Sequence, residues 1–283
     1  MKWSGFFAII LVSTQLIISC SDNGDKEETN PASSATTAQP SAPAGQSPTA
    51  PAIEAKEKRP DAVVQGLKGK VEVMSETVYA PGAAKKMSSR NVFKYDDKGN
   101  RTELISYNHE GKVNTTLKST YDESGNIVKE ETILSNGTVD MKSEIKTDSK
   151  GNRIEQQDTR LSANSPLANY KYIYKYDEKG RLLERTGLKA DGSLFFRYNF
   201  SYDANGNRAE WVQTGSDNSI VGKVVYKYDD KNSLIEETKY GPGNKTTIFT
   251  YTYDFDKKGN WVRQNKSQDG NIIEIKERSL TYR

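Results

Sequence analysis

Tyr202-Asp-Ala-Asn-Gly-Asn207 is one of seven copies of a six-residue pattern that decides the fold of this 283-residue chain. In order, the copies read YDDKGN, YDESGN, TDSKGN, YDEKGR, YDANGN, YDDKNS and FDKKGN. The second residue is Asp in every copy: Asp96, Asp122, Asp148, Asp177, Asp203, Asp229 and Asp256. An Asp at the first turn position accepts backbone N–H groups, and a Gly three residues later takes positive φ. The pattern therefore predicts a structural hairpin turn, with no metal held by these carboxylates.

The copies are evenly spaced along the chain. Counted at the Gly position, which is Asn in the sixth copy, the intervals are 26, 26, 29, 26, 26 and 27 residues. A second, weaker turn lies between successive copies, and the segments between turns alternate with a period of two, as in LFFRYNFSY from Leu194. This alternation is typical of β-strands. The sequence predicts an all-β fold, an extended antiparallel meander of about fifteen or sixteen strands in a single-layer or curled sheet.

The same register predicts how the sheet is laid out. Val71 to Tyr79 is expected to be the first strand and Ile272 to Tyr282 the last, with the Asp turns on one edge of the sheet and the weaker turns on the other. The residues two and four before the Tyr position, together with those three after the Gly position, should form an apolar band along the Asp-turn edge. The third repeat, from Glu144 to about Ala168, has the fewest aromatic residues and is expected to be the softest.

Charged residues interrupt both faces of this sheet. Five residues after the Gly position, the apolar face is broken by Glu130, Gln156, Arg185 and Glu237. Four residues after it, on the other face, every copy is charged: Glu103, Lys129, Glu155, Glu184, Glu210, Glu236 and Arg263. A membrane-spanning β-barrel needs one uninterrupted apolar face toward lipid. The sequence therefore argues against an outer-membrane barrel.

The N-terminal region precedes the repeats and has a different composition. Residues 1–19 combine a positive start with an apolar run and end directly before Cys20, which resembles the signal peptide and lipobox of bacterial lipoproteins. By that resemblance, Cys20 is the lipidated residue that attaches the protein to a membrane. Residues 20–60 are rich in Pro, Ala, Ser and Thr and are expected to be a disordered tether, which leaves residues 61–283 as the repeat domain. The acidic cluster DNGDKEE after Cys20 resembles a surface-export signal or is simply the solvated start of the tether.

The composition argues against several kinds of chemistry. The chain has one Cys and one His, so disulfides, His-based metal sites and Ser-His-Asp or Cys-His catalysis are not expected. Lys and Arg number 41 against 38 Asp and Glu, with no basic stripe, so nucleic acid is not an expected partner. No cofactor is expected. Nothing singles out a carboxylate pair for glycoside hydrolysis, and we therefore expect no enzymatic activity.

The segments YKYDEKGR, FSYDANGN and YKYDDKNS resemble the YD repeats of the RHS family, which includes bacterial Rhs proteins, shell components of insecticidal toxin complexes, and teneurins. The resemblance covers roughly residues 90 to 265. It implies a β-sheet of YD hairpins, which in long arrays spirals into a hollow shell around a toxin. This chain has far fewer repeats, and it lacks the PxxxxDPxGL segment and the C-terminal toxin domain of that family. Encapsulation is therefore not expected, and a short open or curled sheet is.

Three hypotheses for function follow. The first is a lipid-anchored protein of the bacterial envelope, at the outer membrane on its periplasmic or outer side, that acts as a non-catalytic binding or scaffold module for a glycan or protein. The others are a structural or secretion- and toxin-linked partner and, last, an enzyme acting on polysaccharide. The regular aromatic rows are explained first as the apolar face of the sheet itself. Aromatic residues outside those rows are better ligand candidates, namely Phe195, Trp211 and Trp261.

Overall fold

The computed structural model describes residues 61, 65–82, 85–161, 169–241, 243 and 245–283. The predicted signal peptide, Cys20 and the tether lie outside these residues. The described residues form sixteen antiparallel strands in chain order: β1 (Val71–Tyr79), β2 (Met87–Tyr95), β3 (Arg101–Tyr107), β4 (Val113–Tyr121), β5 (Ile127–Leu134), β6 (Val139–Thr147), β7 (Arg153–Arg160), β8 (Lys171–Tyr176), β9 (Leu182–Leu188), β10 (Leu194–Tyr202), β11 (Arg208–Thr214), β12 (Ile220–Tyr228), β13 (Leu234–Tyr240), β14 (Thr246–Phe255), β15 (Trp261–Gln268) and β16 (Asn271–Tyr282). No helix among them is long and apolar enough to cross a membrane.

The sheet closes on itself. Each strand pairs with its neighbours in sequence, and β1 pairs with β16, so that the sixteen strands form a closed barrel. The predicted antiparallel meander, its first strand and the placement of the two kinds of turn on opposite edges are confirmed. The expectation of an open or curled sheet was wrong. Closure satisfies the backbone groups of both end strands, which an open sheet would leave as exposed edges.

The Asp turns are built from hydrogen bonds within each copy. In the first copy, the Asp96 N–H donates to the Asn100 carbonyl at 2.9 Å, and the Gly99 N–H donates to the Asp96 carbonyl at 3.0 Å. The Asp96 Oδ1 also accepts the Asn100 N–H at 2.8 Å. In all seven copies the Asp carboxylate accepts the backbone N–H four residues on, at 2.7–2.8 Å. The Gly position always has positive φ, including Asn232 at 61°.

In four of the seven copies, the Tyr that precedes the Asp links the turn to the previous repeat. Its hydroxyl donates to the carbonyl of the residue two after the preceding Gly position, as in Tyr202 to Leu182 at 2.8 Å and Tyr176 to Arg153 at 2.9 Å. The seventh copy has Phe255 in place of this Tyr. There Tyr253, two residues earlier, donates to the corresponding carbonyl of Leu234 at 2.9 Å. The Tyr is therefore part of the wall, and it satisfies a carbonyl where the strand pairing is irregular.

The register of each Asp-turn hairpin corrects the predicted apolar band. The Tyr position pairs with the residue two after the Gly position, and the next pair skips one residue, as in Tyr95↔Arg101 followed by Lys94↔Glu103. This irregularity is a β-bulge, and it recurs in all seven hairpins. The residues three after the Gly position are thus unpaired and do not belong to a buried band. Four of them are exposed: Val128, Ile154, Leu183 and Ile235.

The two faces of the wall differ in exposure, which identifies the lumen. On one face, the Lys before the Tyr position pairs with the Glu four after the Gly position, as in Lys94–Glu103 at 2.8 Å and Lys227–Glu236 at 2.8 Å. These Glu side chains are 25% and 26% exposed, whereas Glu130 on the other face is 5% exposed. Side chains crowd on the concave side of a curved sheet. The face with Glu130 therefore faces the lumen, and the Lys–Glu pairs form the outer wall.

A packed hydrophobic cluster lies at the Asp-turn edge, beside the first strand. Leu67 packs there with Val71, Met74 and Tyr95, next to partly buried Phe93, Leu280 and Tyr282. The segment before β1 crosses this edge between the last copy and the first. Lys68 exchanges backbone–amide hydrogen bonds with Asn260 at 2.7 and 3.0 Å, and the Asp61 carboxylate accepts the Tyr121 hydroxyl at 2.7 Å. Both ends of the described chain therefore lie at the Asp-turn edge.

Candidate binding surface in the barrel lumen

A continuous row of aromatic rings lines the lumen from Tyr170, directly before β8, to β11. Tyr170 stacks on Phe195 with ring centroids 4.9 Å apart and an angle of 15°, and Phe195 is 5.4 Å from Phe196. Phe196 is in turn 4.9 Å from Tyr198, which meets Trp211 edge-on at 5.4 Å. These five residues are called the aromatic row below. The indole N–H of Trp211 donates to the Tyr226 hydroxyl at 2.8 Å, so the polar end of this ring is fixed as well.

The structure corrects the predicted position of Phe195. Strict alternation places Phe195 on the face opposite Phe196. The pairing with β9 instead skips from Leu194 to Phe196, and the bulge brings the Phe195 ring beside the Phe196 ring. Phe195 is 42% exposed and lies at the weak-turn end of β10. The aromatic row therefore starts at the barrel rim and runs inward to Trp211.

Trp261 lies apart from the other two candidates. It is at the Asp-turn end of β15, four strands along from Trp211, and its ring lies 3.4 Å from the Arg278 guanidinium. Arg278 is held in turn by Glu76 at 3.0 Å. The structure thus brings Phe195 and Trp211 together and leaves Trp261 in a separate cation–π contact.

Glycines make room for the rings. Gly187 lies between Tyr172 and Phe196 in the cross-strand register, and a β-carbon there would lie 2.8 Å from the Phe196 ring. Gly222 lies beside Trp211, where an added β-carbon would meet the ring at 3.9 Å, an ordinary contact. The position of Phe196 therefore requires Gly at 187, whereas a methyl group at position 222 would fit beside Trp211.

A polar network occupies the neighbouring part of the lumen, on β5 to β7. Glu130 accepts hydrogen bonds from Arg101 and Arg153, each at 3.1 Å. Gln156 joins it to the Asp158 carboxylate, because its amide oxygen accepts from Arg153 at 2.6 Å and its amide N–H donates to Asp158 at 2.7 Å. Ser143 also donates to Asp158, at 2.7 Å. Glu130, Ser143, Gln156 and Asp158 are all buried, so this polar network is enclosed on the inner wall.

Burial shifts several ionisation equilibria in the lumen. It raises the pKa of Asp158, and the hydrogen bonds from Gln156 and Ser143 oppose the shift only in part. Burial also lowers the pKa of Arg278, which Glu76 partly offsets. Among the described residues, no three His, Cys, Asp or Glu side chains converge as a metal site would require. The chemistry that this surface offers is ring stacking and hydrogen bonding.

The residues five after the Gly position differ between the copies, and this difference changes the inner wall from one repeat to the next. These residues pair with the position two before the Tyr, as in Leu104 with Phe93 and Trp211 with Phe200, and they point into the lumen. Trp211 stood out in the sequence because it occupies this position. Tyr170, Phe196 and Tyr198 did not stand out, because the pairing of β10 with β9 that joins them to Phe195 depends on a bulge.

Several solved structures are similar to this chain in part. The chain superimposes on a porin-like protein from Bacteroides uniformis with a TM-score of 0.54 and 10% identity, covering 76% of this chain and 99% of that one. A porin-like protein from Bacteroides vulgatus gives 0.46 and 13% identity, covering 76% and 99%. The TcdB2-TccC3-Cdc42 structure gives 0.32 and 16% identity, covering 66% of this chain and 10% of that one. No protein-family model matches the chain. No curated protein matches it in sequence. The first comparison supports the barrel fold alone, and the resemblance to RHS repeats stays a prediction.

Proposed function

We propose that this protein is a non-catalytic binding module of the bacterial envelope, and that its barrel binds a carbohydrate chain along the aromatic row. The observation that carries the proposal is the row itself. Five rings touch in sequence from the rim to the interior, and the first is stacked on Phe195, whose ring is substantially exposed. Rings needed only to stabilise the sheet would be covered. Aromatic surfaces with a few placed polar groups are typical of ligand sites.

The outer wall supports a barrel that stands in water. Lys–Glu pairs recur around it in four of the seven hairpins, at Lys94–Glu103, Lys146–Glu155, Lys175–Glu184 and Lys227–Glu236. Lipid-facing charges near the middle of a bilayer each cost about 2–4 kcal/mol for Lys. We therefore propose that the membrane attachment is a lipid on Cys20, at the outer membrane, and that the tether holds the barrel away from the bilayer.

The binding proposal is tested with the purified full-length chain on a glycan array, followed by titration of any glycan that binds. Phe195→Ala and Trp211→Ala should each weaken binding by about tenfold or more, as expected for the loss of about 1.4 kcal/mol. Trp261→Ala is the matched control, because it removes an aromatic ring from the lumen outside the aromatic row. Absence of any glycan binding, or equal losses in all three variants, would contradict the proposal.

The attachment is tested separately in cells. Cys20→Ala should release the protein from the membrane fraction, and protease treatment of intact cells shows whether the barrel faces outward. A protein that stays in the membrane fraction after Cys20→Ala and resists salt and carbonate washes would contradict attachment through lipid.

A further inference from the structure

Arg185 lies within the aromatic surface of the lumen. It pairs across the sheet with Tyr174 on one side and Tyr198 on the other. Its guanidinium lies 4.6 Å from the Tyr172 ring centroid and 5.6 Å from that of Phe196. A guanidinium on ring faces keeps its N–H edges free to form paired hydrogen bonds with an anion.

Apart from Arg208, the other lumen-facing cations among the described residues have a carboxylate partner. The pairs are Arg101 and Arg153 with Glu130, Arg160 with Asp140, Lys239 and Lys266 with Glu237, Lys276 with Glu274, and Arg278 with Glu76. Arg208 is hydrogen-bonded to Tyr202 and Tyr226 and lies over Phe200. Within the described part of the chain, Arg185 has no carboxylate within 4.0 Å, and its Nε is buried without a hydrogen-bond partner.

One carboxylate of the lumen acts on Arg185 electrostatically without forming a salt bridge with it. Asp158 interacts electrostatically with Arg185, but its Oδ1 accepts the hydrogen bonds from Ser143 and Gln156. Arg185 is therefore a cation set among rings, with no salt bridge to a carboxylate of the described residues, next to the proposed sugar-stacking surface.

We infer that Arg185 binds an anionic group of the ligand, so that the carbohydrate is an acidic polysaccharide whose sugars bear a carboxylate or a sulfate. This inference rests on the proposed function. The aromatic row would stack the sugar rings, and Arg185 would select the charged sugars by a paired hydrogen bond. A neutral glycan leaves this cation unpaired, so neutral chains are discriminated against.

The test uses two pairs of polymers that differ in charge but share a backbone: polygalacturonate with its methyl ester, and dextran sulfate with dextran. The full-length chain should bind one charged polymer at least tenfold more tightly than its neutral counterpart. Arg185→Met keeps most of the apolar stem. It should weaken binding of the charged polymer by about 10- to 100-fold, the usual range for a charge-assisted hydrogen bond. Arg185→Lys should retain part of that affinity, because Lys keeps the charge but cannot form two parallel hydrogen bonds with one anion.

Arg197→Met is the matched control, since Arg197 is on the next strand and faces outward toward Glu184 at 3.9 Å. An equal loss in Arg185→Met and Arg197→Met would show unspecific attraction by net charge and overturn the inference. Near-ultraviolet circular dichroism of each variant checks that the barrel is intact, and if Arg185→Met is misfolded, the Lys variant decides. Binding of the methyl ester or dextran as tightly as the charged polymer would overturn the role of Arg185 and leave the proposed function standing. If no polymer binds and the glycan array is also negative, the proposed function fails as well.

Discussion

The inner wall of the barrel changes character between β5–β7 and β8–β11, although the same repeat builds both regions. On β5–β7 the lumen face carries the polar network of Glu130, Arg153, Gln156 and Asp158. On β8–β11 the equivalent face carries the aromatic row. The turns, the bulges and the outer Lys–Glu pairs are the same in both. The comparison shows that the repeat determines the wall and its outer surface, while the lumen face is free to differ.

The two regions should differ in how they respond to the loss of one side chain. In the polar network each group satisfies another, so the removal of one leaves buried charges without a partner. In the aromatic row each ring contributes contact area, and its loss leaves no charge or hydrogen-bonding group without a partner, except at Trp211, whose indole N–H donates to Tyr226. Stability is therefore expected to depend more on the polar network, and binding more on the aromatic row.

The largest effect is expected for Glu130→Ala. The substitution leaves the buried Arg101 and the half-buried Arg153 without their shared carboxylate, and breaking a buried ion pair typically costs about 3–5 kcal/mol. In a domain of this size that is a fall in melting temperature of about 6–20 °C. Thermal denaturation followed by circular dichroism measures it. Glu103→Ala, which removes an outer-wall Glu paired with Lys94, should cost about 1 kcal/mol or less. Equal effects of the two substitutions would contradict the distinction between lumen and outer wall.

Gly187→Ala tests the packing of the aromatic row. The new β-carbon would lie 2.8 Å from the Phe196 ring, so the ring must move, and such overpacking typically costs about 1–3 kcal/mol. Gly222→Ala adds the same methyl group beside Trp211 at 3.9 Å and should be neutral or slightly stabilising. Denaturant unfolding of both variants provides the comparison. If Gly187→Ala is as stable as Gly222→Ala, the ring is not confined as described.

The repeats explain why much of this fold could be predicted from the sequence. Turn chemistry such as Asp203 with Gly206 is local, so the strands, their antiparallel order and the edge occupied by each turn follow from the spacing. Closure could not be predicted, because it depends on the curvature accumulated over sixteen strands and on the pairing of β1 with β16.

The candidate site could be predicted only in part. Trp211 departs from the repeat and was found from that departure. The position of Phe195 beside Phe196 depends on the bulge that follows Leu194. A sequence pattern with a period of two does not predict where a bulge occurs. The separation of Trp261 from Phe195 and Trp211 likewise depends on strand order around the barrel. The inference about Arg185 depends on how the other lumen-facing cations are partnered, which only the structure shows.

Tyr202→Phe tests the hydrogen bond between neighbouring repeats, a feature of the wall both in β5–β7 and in β8–β11. It removes the hydroxyl that donates to the Leu182 carbonyl at 2.8 Å and accepts from Arg208, and it keeps the ring beneath the Arg181 guanidinium. The loss should be about 1–3 kcal/mol, the usual net contribution of two hydrogen bonds. Tyr240→Phe, at a tyrosine that is 42% exposed, is the control and should have no measurable effect. Urea unfolding that shows no difference between the variants would mean that the hydroxyl contributes nothing to the wall.

The smallest effect is expected for Asp158→Asn and depends on pH. Because burial raises the pKa of Asp158 in the folded state, the folded protein binds this proton more tightly than the unfolded chain does. The contribution of Asp158 to stability therefore falls as pH rises from the unfolded pKa through the folded pKa. An Asn stays neutral, and its amide oxygen still accepts from Ser143 and Gln156. The variant should melt a few degrees higher at about pH 7, and the difference should vanish at about pH 3, where Asp158 is protonated in both states.

Asp177→Asn should show the opposite sign. The hydrogen bonds from Arg181 lower the pKa of Asp177 despite some burial, so this carboxylate stabilises the folded state above its unfolded pKa and loses that effect as pH falls. Its substitution should lower the melting temperature at about pH 7, with convergence toward the parent protein in acid. The measurement is the melting temperature of the parent protein, Asp158→Asn and Asp177→Asn between about pH 3 and about pH 7. If Asp158→Asn and Asp177→Asn change the melting temperature in the same direction at neutral pH, desolvation in the lumen of β5–β7 does not destabilise the charged Asp158.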